Sequence, residues 1–313
     1  MTAWRGLAAF GVGLAVGVAG VYALTAGTDT GSAVVSSQKG DAEVNDHGAM
    51  AHGAGPAGLS LAQDGYVLTP VSAPAGVGER GQLSFQILDP AGRPFDEYVT
   101  AHQKKLHLIV VRTDGRQFRH VHPVFDESSR TWTIPWAWTQ TGTYRVFADF
   151  EVKGEGSQTK KMTLARTVEV GGDFAPAPAT AVRTADEIDG YTVSVEGHLV
   201  AGVTRPLTFT VTRDGQPVTS LQPYLGAFGH LVALRDGDLA YLHAHPEGAE
   251  PAEGQTGGPT VAFGVQAPTA GRYLLYLDFQ ISQAVRTATF VVDAARGDDP
   301  QPAPGPQQEH AGH

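Results

Sequence analysis

Apolar and polar residues alternate along much of the chain with the period of two expected of strands half-buried against a core. Leu83-Ser84-Phe85-Gln86-Ile87 and Leu207-Thr208-Phe209-Thr210-Val211 are clear instances, and a Gly-x-Pro turn follows each, Gly92-Arg93-Pro94 and Gly215-Gln216-Pro217. Each half also opens on a Gly-Tyr segment, Gly65-Tyr66-Val67-Leu68 or Gly190-Tyr191-Thr192-Val193. Later in each half comes a strand beginning Gly142-Thr143-Tyr144-Arg145-Val146 or Gly271-Arg272-Tyr273-Leu274-Leu275, and a last strand covers 163–170 or 287–292. About seven short strands in roughly 100 residues, with Gly/Pro turns and no amphipathic helix, predict a β-sandwich of immunoglobulin-like class in each half. The expected fold is therefore all-β, a tandem duplication with one domain over 61–170 and another over 190–293, joined by a Pro-rich linker over 171–189.

At the centre of each half the alternation carries histidines. Leu106 to Pro123 reads LHLIVVRTDGRQFRHVHP, and His230 to Pro246 reads HLVALRDGDLAYLHAHP. At a constant offset the copies match His107 with His230, Leu108 with Leu231, Arg112 with Arg235, His120 with His243, His122 with His245 and Pro123 with Pro246. Asp114-Gly115 predicts a hairpin closed by a type I′ turn, which places His107 opposite His122. Alternation then puts His107, His120 and His122 on one strand face, which Ile109, Val111 and Phe118 continue. Gly237-Asp238 predicts a type II′ turn for the second copy, with His230, His243 and His245 on one face likewise.

Two histidines at i, i+2 on a strand project side by side, and a third from the neighbouring strand closes three vertices of a metal site. Asp149 and Asp278 hold equivalent places in otherwise apolar strands, where a lone carboxylate is costly. They are candidate fourth ligands, or acceptors that orient an imidazole N–H. Imidazole with at most a carboxylate suits Cu(II), Zn(II) or Ni(II), and competition among divalent ions favours copper, with zinc the alternative. The chain has no cysteine, which excludes a blue-copper centre and any disulfide scaffold, and with only Met50 and Met162 besides the initiator the sequence argues against a thioether-rich Cu(I) site. Two other readings of the triads stay open: buried hydrogen-bond networks in an interaction module, or an open coordination position serving a metal-dependent redox or hydrolytic enzyme. Arg112 and Arg235 fall on the opposite hairpin face and read as partners of carboxylates. Tyr98 and Tyr224 read as core aromatics, and His102 and His198, which have no counterparts, as surface residues.

The net charge of −10 without any run of Lys or Arg argues against nucleic acid or an anionic membrane surface as partner. Gly6 to Ala26 is an apolar run behind Arg5, as long as the roughly 20 residues that cross a bilayer. Residues 1–27 are expected to be a transmembrane anchor or a cleaved signal peptide, and either places the rest outside the cytoplasm. Residues 28–60 read as a disordered tether carrying His47, Met50 and His52, and 294–313 as a tail ending in His310 and His313; both can collect metal ions weakly.

The stretches KKLHLIVVRTDGRQFRHVHP, GTYRVFADF, PYLGAFGHLVALRDGDLAYLHAHP and AGRYLLYLDF resemble those of exported tandem β-sandwich proteins of actinobacteria, carried as uncharacterised or heavy-metal-binding secreted proteins. The resemblance covers nearly everything from Leu59 to Val292. It implies metal handling, copper above all, and falls on His107, His120, His122 and Asp149 and on His230, His243, His245 and Asp278. The motif is similar more distantly to cupredoxin-like periplasmic copper carriers, and its His-Val-His to that of copper/zinc superoxide dismutases, whose further ligand positions are missing here. The expected function is copper buffering, carriage or delivery through one His site per domain, with a metal transporter or metalloprotein as partner.

Overall fold

The computed structural model describes residues 57–242, 244–252 and 254–297. The expected membrane or signal segment, the tether up to residue 56 and most of the C-terminal tail lie outside these residues, and with them His47, Met50, His52, His310 and His313. The described residues form strands and turns. Domain one starts with β1 (Ala62–Gln63), β2 (Tyr66–Leu68), β3 (Gly81–Phe85), β4 (Ile87–Leu88) and β5 (Tyr98–Val99). The histidine hairpin is β6 (His107–Arg112) and β7 (Arg119–Val121), followed by β8 (Val124–Asp126), β9 (Thr131–Trp136), β10 (Gly142–Lys153) and β11 (Thr159–Val170). Domain two comprises β12 (Ala185–Ile188), β13 (Tyr191–Glu196), β14 (Leu199–Val200), β15 (Thr204–Arg213) and β16 (Gln216–Pro217). Its second half is β17 (His230–Arg235), β18 (Tyr241–Leu242), β19 (Ala244–Pro246), β20 (Thr260–Gln266), β21 (Gly271–Ile281) and β22 (Ala284–Ala295). Strand β12 falls inside the stretch expected to be linker, where it pairs with β13.

In domain two the sheet β12-β13-β15-β20-β19 faces the sheet β14-β22-β21-β17-β18. In domain one β3-β9-β8 faces β11-β10-β6-β7, with β1-β2-β4 alongside. This is the immunoglobulin-like order, and both copies lock the start of their long central strand in the way that fold does. The Tyr144 hydroxyl donates to the Gln140 carbonyl at 2.9 Å and the Tyr273 hydroxyl to the Thr269 carbonyl at 2.7 Å.

Three cores result, and the third joins the domains. On β6 the even positions Leu108 and Val110 enter domain one's own core, and on β17 Leu231 and Ala233 enter domain two's. The alternate positions, Ile109 and Val111 on β6 and Val232 and Leu234 on β17, meet in a cluster with Phe147, Tyr241 and Tyr276. All six residues of β6 are therefore buried, as its near-continuous apolar run befits a strand covered on both faces. The contact is nearly two-fold. Phe118 stacks on Tyr276 with ring centroids 3.9 Å apart, and their repeat equivalents Tyr241 and Phe147 approach to 5.9 Å. Each fully buried side chain contributes about 1.5–3 kcal/mol, so this face holds the domains together without help from an ion.

Neither hairpin turn takes the expected type, yet both keep the expected register. In the first, Gly115 N donates to the Arg112 carbonyl and Arg112 N to the Arg116 carbonyl, each at 2.8 Å, so Thr113 and Asp114 are the central pair and Gly115, at φ 78°, is a bulge. A second left-handed residue, Gln117 at φ 56°, restores the pairing of Ile109 with His120. The Asp114 carboxylate is taken up by Arg112 Nε and Nη2, both at 2.9 Å, and by Ala177 N of the linker at 3.1 Å. In the second, Arg235 N donates to the Ala240 carbonyl around a four-residue loop, with Gly237 and Leu239 at positive φ, and Ala233 still pairs with Leu242.

Candidate metal centre

The face that joins the domains also gathers the histidines. Pairing lines up His107, Asp149 and Thr163 across β6, β10 and β11, and His230, Asp278 and Thr287 across β17, β21 and β22. His107 is 4% exposed. Its Nδ1 lies 3.0 Å from His120 Nε2 and 3.2 Å from His122 Nε2. From the other domain comes His230, whose ring lies parallel to that of His107 at 5.3 Å and stacks against His120 at 4.8 Å. Ligating atoms of His107, His120 and His230 all fall within 4.8 Å of one another. Nitrogens on a tetrahedral ion at the usual 2.0–2.1 Å stand about 3.3 Å apart, so two of these separations already match such a site and His230 needs a shift of an ångström or so.

The outer nitrogens decide what the inner ones offer. His120 Nδ1 faces Asp278 Oδ2 at 2.7 Å, and His107 Nε2 faces the Ala101 carbonyl at 3.3 Å. Those oxygens only accept, and with the proton on each outer nitrogen the neutral rings aim the lone pairs of His107 Nδ1 and His120 Nε2 at the same space. At 3.0 Å two lone pairs repel unless a cation lies between them, and the other way to relieve the contact is a His107 proton on Nδ1, donated to His120 Nε2. Asp278 therefore acts across the domain boundary as the acceptor that orients His120, and its other oxygen accepts from the Thr287 hydroxyl at 2.5 Å.

Burial, then the neighbouring His120 charge, lowers the His107 ring to about 3 and that of His122 to about 2. Burial, then His120, also holds His230 well below its ordinary value. At neutral pH these three rings are uncharged, the state in which imidazole ligates. Beside them lies a void of about 20 Å³ lined by His102, His107, Asp149, His230 and Tyr241 among others, room for about one water.

The other expected residues fare differently. Asp149 is buried, accepts from the Thr163 hydroxyl at 2.7 Å, and is raised to about 6 by burial, with Thr163 opposing. It borders the void without touching the ring nitrogens of His107 or His120 through any described hydrogen bond. Tyr241 is buried against it, and its hydroxyl is held well above its ordinary value, by burial first and by Asp149 next. His245 is exposed, on β19 opposite Gly264 in the far sheet. His243 lies outside the described residues. The expected triad of domain two is thus not gathered among the described residues, where the grouped nitrogens of His107, His120 and His230 come from both domains.

Two residues near the cluster were misread from sequence. His102, expected at the surface, is half-buried with its ring 5.6 Å from His230 and 6.2 Å from His107. Tyr224, expected in a core, sits 6.4 Å from His122, its hydroxyl pushed up to about 12 by burial and then Asp278. Neither has a repeated motif to mark it. His198 is exposed, and Arg235 pairs with Asp238 as Arg112 does with Asp114.

The fold and cluster together define a tandem immunoglobulin-like sandwich protein with a nitrogen-rich polar cluster enclosed where the two copies meet. The chain belongs to the family described as Domain of unknown function (DUF8832), whose model matches it twice, at residues 61–170 and 186–296. No curated protein matches the chain. Among solved structures it is similar to invasin, described as a bacterial integrin-binding protein, at 12% identity over 75% of this chain and 40% of that one, with a TM-score of 0.22. Domains 5–6 of the S-layer protein SbsC match at 12% identity over 74% of this chain and 99% of that one, TM-score 0.22. A conserved domain protein from Bacillus anthracis matches at 9% identity over 76% and 88%, TM-score 0.21. The immunoglobulin-like order is carried by the strand pairing of the two sandwiches.

Proposed function

We propose that this protein holds a single transition-metal ion, copper(II) before zinc, between its two domains, and serves as a buffer or carrier for it. His107 Nδ1, His120 Nε2, His122 and His230 are the ligands, and Asp278 and the Ala101 carbonyl fix the two rings that lead. The observation that carries this reading is the convergence of two imidazole nitrogens, His107 Nδ1 and His120 Nε2, on rings whose outer nitrogens both face oxygen acceptors. The all-imidazole donor set favours copper over harder ions. Enclosure supports holding an ion over turning over a substrate, because the voids that touch His107 and His230 measure about 20 Å³ each. The apolar run from Gly6 to Ala26 supports an extracytoplasmic, membrane-attached setting, where a metal transporter or metalloprotein would be the donor or acceptor.

The competing reading, a hydrogen-bonded imidazole network, draws on the same 3.0 Å separation, with a proton on His107 Nδ1 donated to His120 Nε2 in place of the ion. Titration of Cu(II) and Zn(II) into the full chain with His47, His52, His310 and His313 replaced by alanine separates the two. A tight equivalent whose copper spectrum shows coupling to several imidazole nitrogens supports the metal reading. No tight equivalent for either ion leaves the proton network.

A further inference from the structure

Resting on that metal reading, we infer that His102 is the gateway ligand: a cation caught in an acidic cleft between the domains reaches the inner imidazoles by way of His102. The cleft has a volume of about 680 Å³, and its walls include His102 and Gln103 from domain one and Phe228, Pro246, Glu247 and Glu250 from domain two. The same His102 lines both small voids that border His107. One side chain thus separates outside from inside, and it carries the nitrogen chemistry that an ion leaving water needs.

The backbone holds His102 in that place. His102 at φ 48° and Gln103 at φ 63° are consecutive left-handed residues, closed into a two-residue turn by Ala101 N to the Lys104 carbonyl at 2.9 Å and Lys104 N to the Ala101 carbonyl at 3.0 Å. Such a turn suits Asn and Gly far better than His and Gln. A strained conformation kept by its surroundings marks a place worth asking about function. Here the Ala101 carbonyl that closes the turn also faces His107 Nε2, so the segment that carries the gateway ring orients an inner ligand too.

Charge selects the route. The void on the other side of His102 is bordered by Lys104, Lys105 and Lys161 against Glu151 and the buried Asp149, a lining with more cations than anions, whereas the cleft brings Glu247 and Glu250, which attract a cation.

The test is stopped-flow uptake of Cu(II) by the full chain with its tail histidines replaced, and extraction of the ion by a chelator. Asn tolerates the left-handed turn, so His102→Asn removes the imidazole and spares the fold. The expected result is an unchanged stoichiometry and an affinity within about threefold, with uptake and release both slowed by about tenfold or more, since an on-path ligand lowers the barrier in both directions. Glu247→Gln together with Glu250→Gln should slow uptake and flatten its dependence on ionic strength. Unchanged rates in His102→Asn overturn the gateway, as does loss of the bound equivalent, which would make His102 one of the inner ligands. Unchanged salt dependence in the Glu pair overturns the acidic route. A wild type that takes up no ion brings down the metal reading itself, whereas normal wild-type uptake with a silent His102→Asn brings down the gateway alone.

Discussion

The two histidine hairpins descend from one motif and part company at their last residue. In domain one the chain stays on its sheet through β7, so His122 leaves Val121 with its ring against His107. In domain two the described pairing on this sheet reaches Leu242, and from Ala244 the chain pairs in the other sheet, where His245 lies exposed opposite Gly264. The upstream positions keep their equivalence: His107 and His230 occupy the same place on β6 and β17, each beside an Asp and a Thr on the next strands. Sequence repetition thus preserves strand and face while a crossover one residue away changes the neighbours. Two nominal triads become one unequal cluster, with three described imidazoles from the first domain and one from the second.

The aspartates sharpen the contrast most. Asp278 bonds His120 across the boundary, whereas Asp149 is taken up by Thr163. Asp278→Asn is expected to weaken copper binding about 10- to 100-fold, the usual cost of losing an acceptor behind a ligating imidazole, and Asp149→Asn to change it by less than about threefold. Equal losses measured by competition titration would restore the symmetry denied here.

The metal-free protein should also be acid-sensitive, with a definite sign. His107 and His122 are depressed, so their contribution is fully present above the ordinary pKa near 6.5 and is lost as pH falls. Asp149, raised to about 6, works the other way: its contribution is present at low pH and lost as pH rises through 6. From pH 7 to 5 each of these two imidazoles costs about 2 kcal/mol and Asp149 returns about 1 kcal/mol, so these three groups together lose about 3 kcal/mol, and His230, also depressed, adds to the loss. Urea unfolding of the metal-free chain at the two pH values checks this, and equal midpoints would contradict it. The smallest expected effect contrasts the two last histidines: His122→Ala weakens copper binding about tenfold, while His245→Ala, at an exposed position, leaves it unchanged.

Much of this was legible in the sequence. Alternating strands at Leu83–Ile87 and Leu207–Val211, the Gly-Tyr openings and the Gly-x-Pro turns set out two all-β sandwiches, and the offset between His107 and His230 exposed the repeat. The register of His107 with His122 survived a wrong turn type, because the bulges at Gly115 and Gln117 add up to the same pairing. What the pattern did not deliver was the partner of the histidine face. The signal was present in Leu106 to Val111, too apolar for a strand with one wet face, but a single strand cannot say which surface covers it. His102 was missed because its importance comes from a left-handed turn that folds it against another domain's histidine, and no motif encodes that contact.

The central claim is that one ion is shared by both domains, and the most direct test compares His107→Ala with His230→Ala by calorimetric copper titration of the full chain without its tail histidines. A shared centre predicts one tight equivalent in the parent chain, lost in either variant alone. Two equivalents in the parent, each variant sparing one, would contradict it and return the protein to separate sites in separate domains.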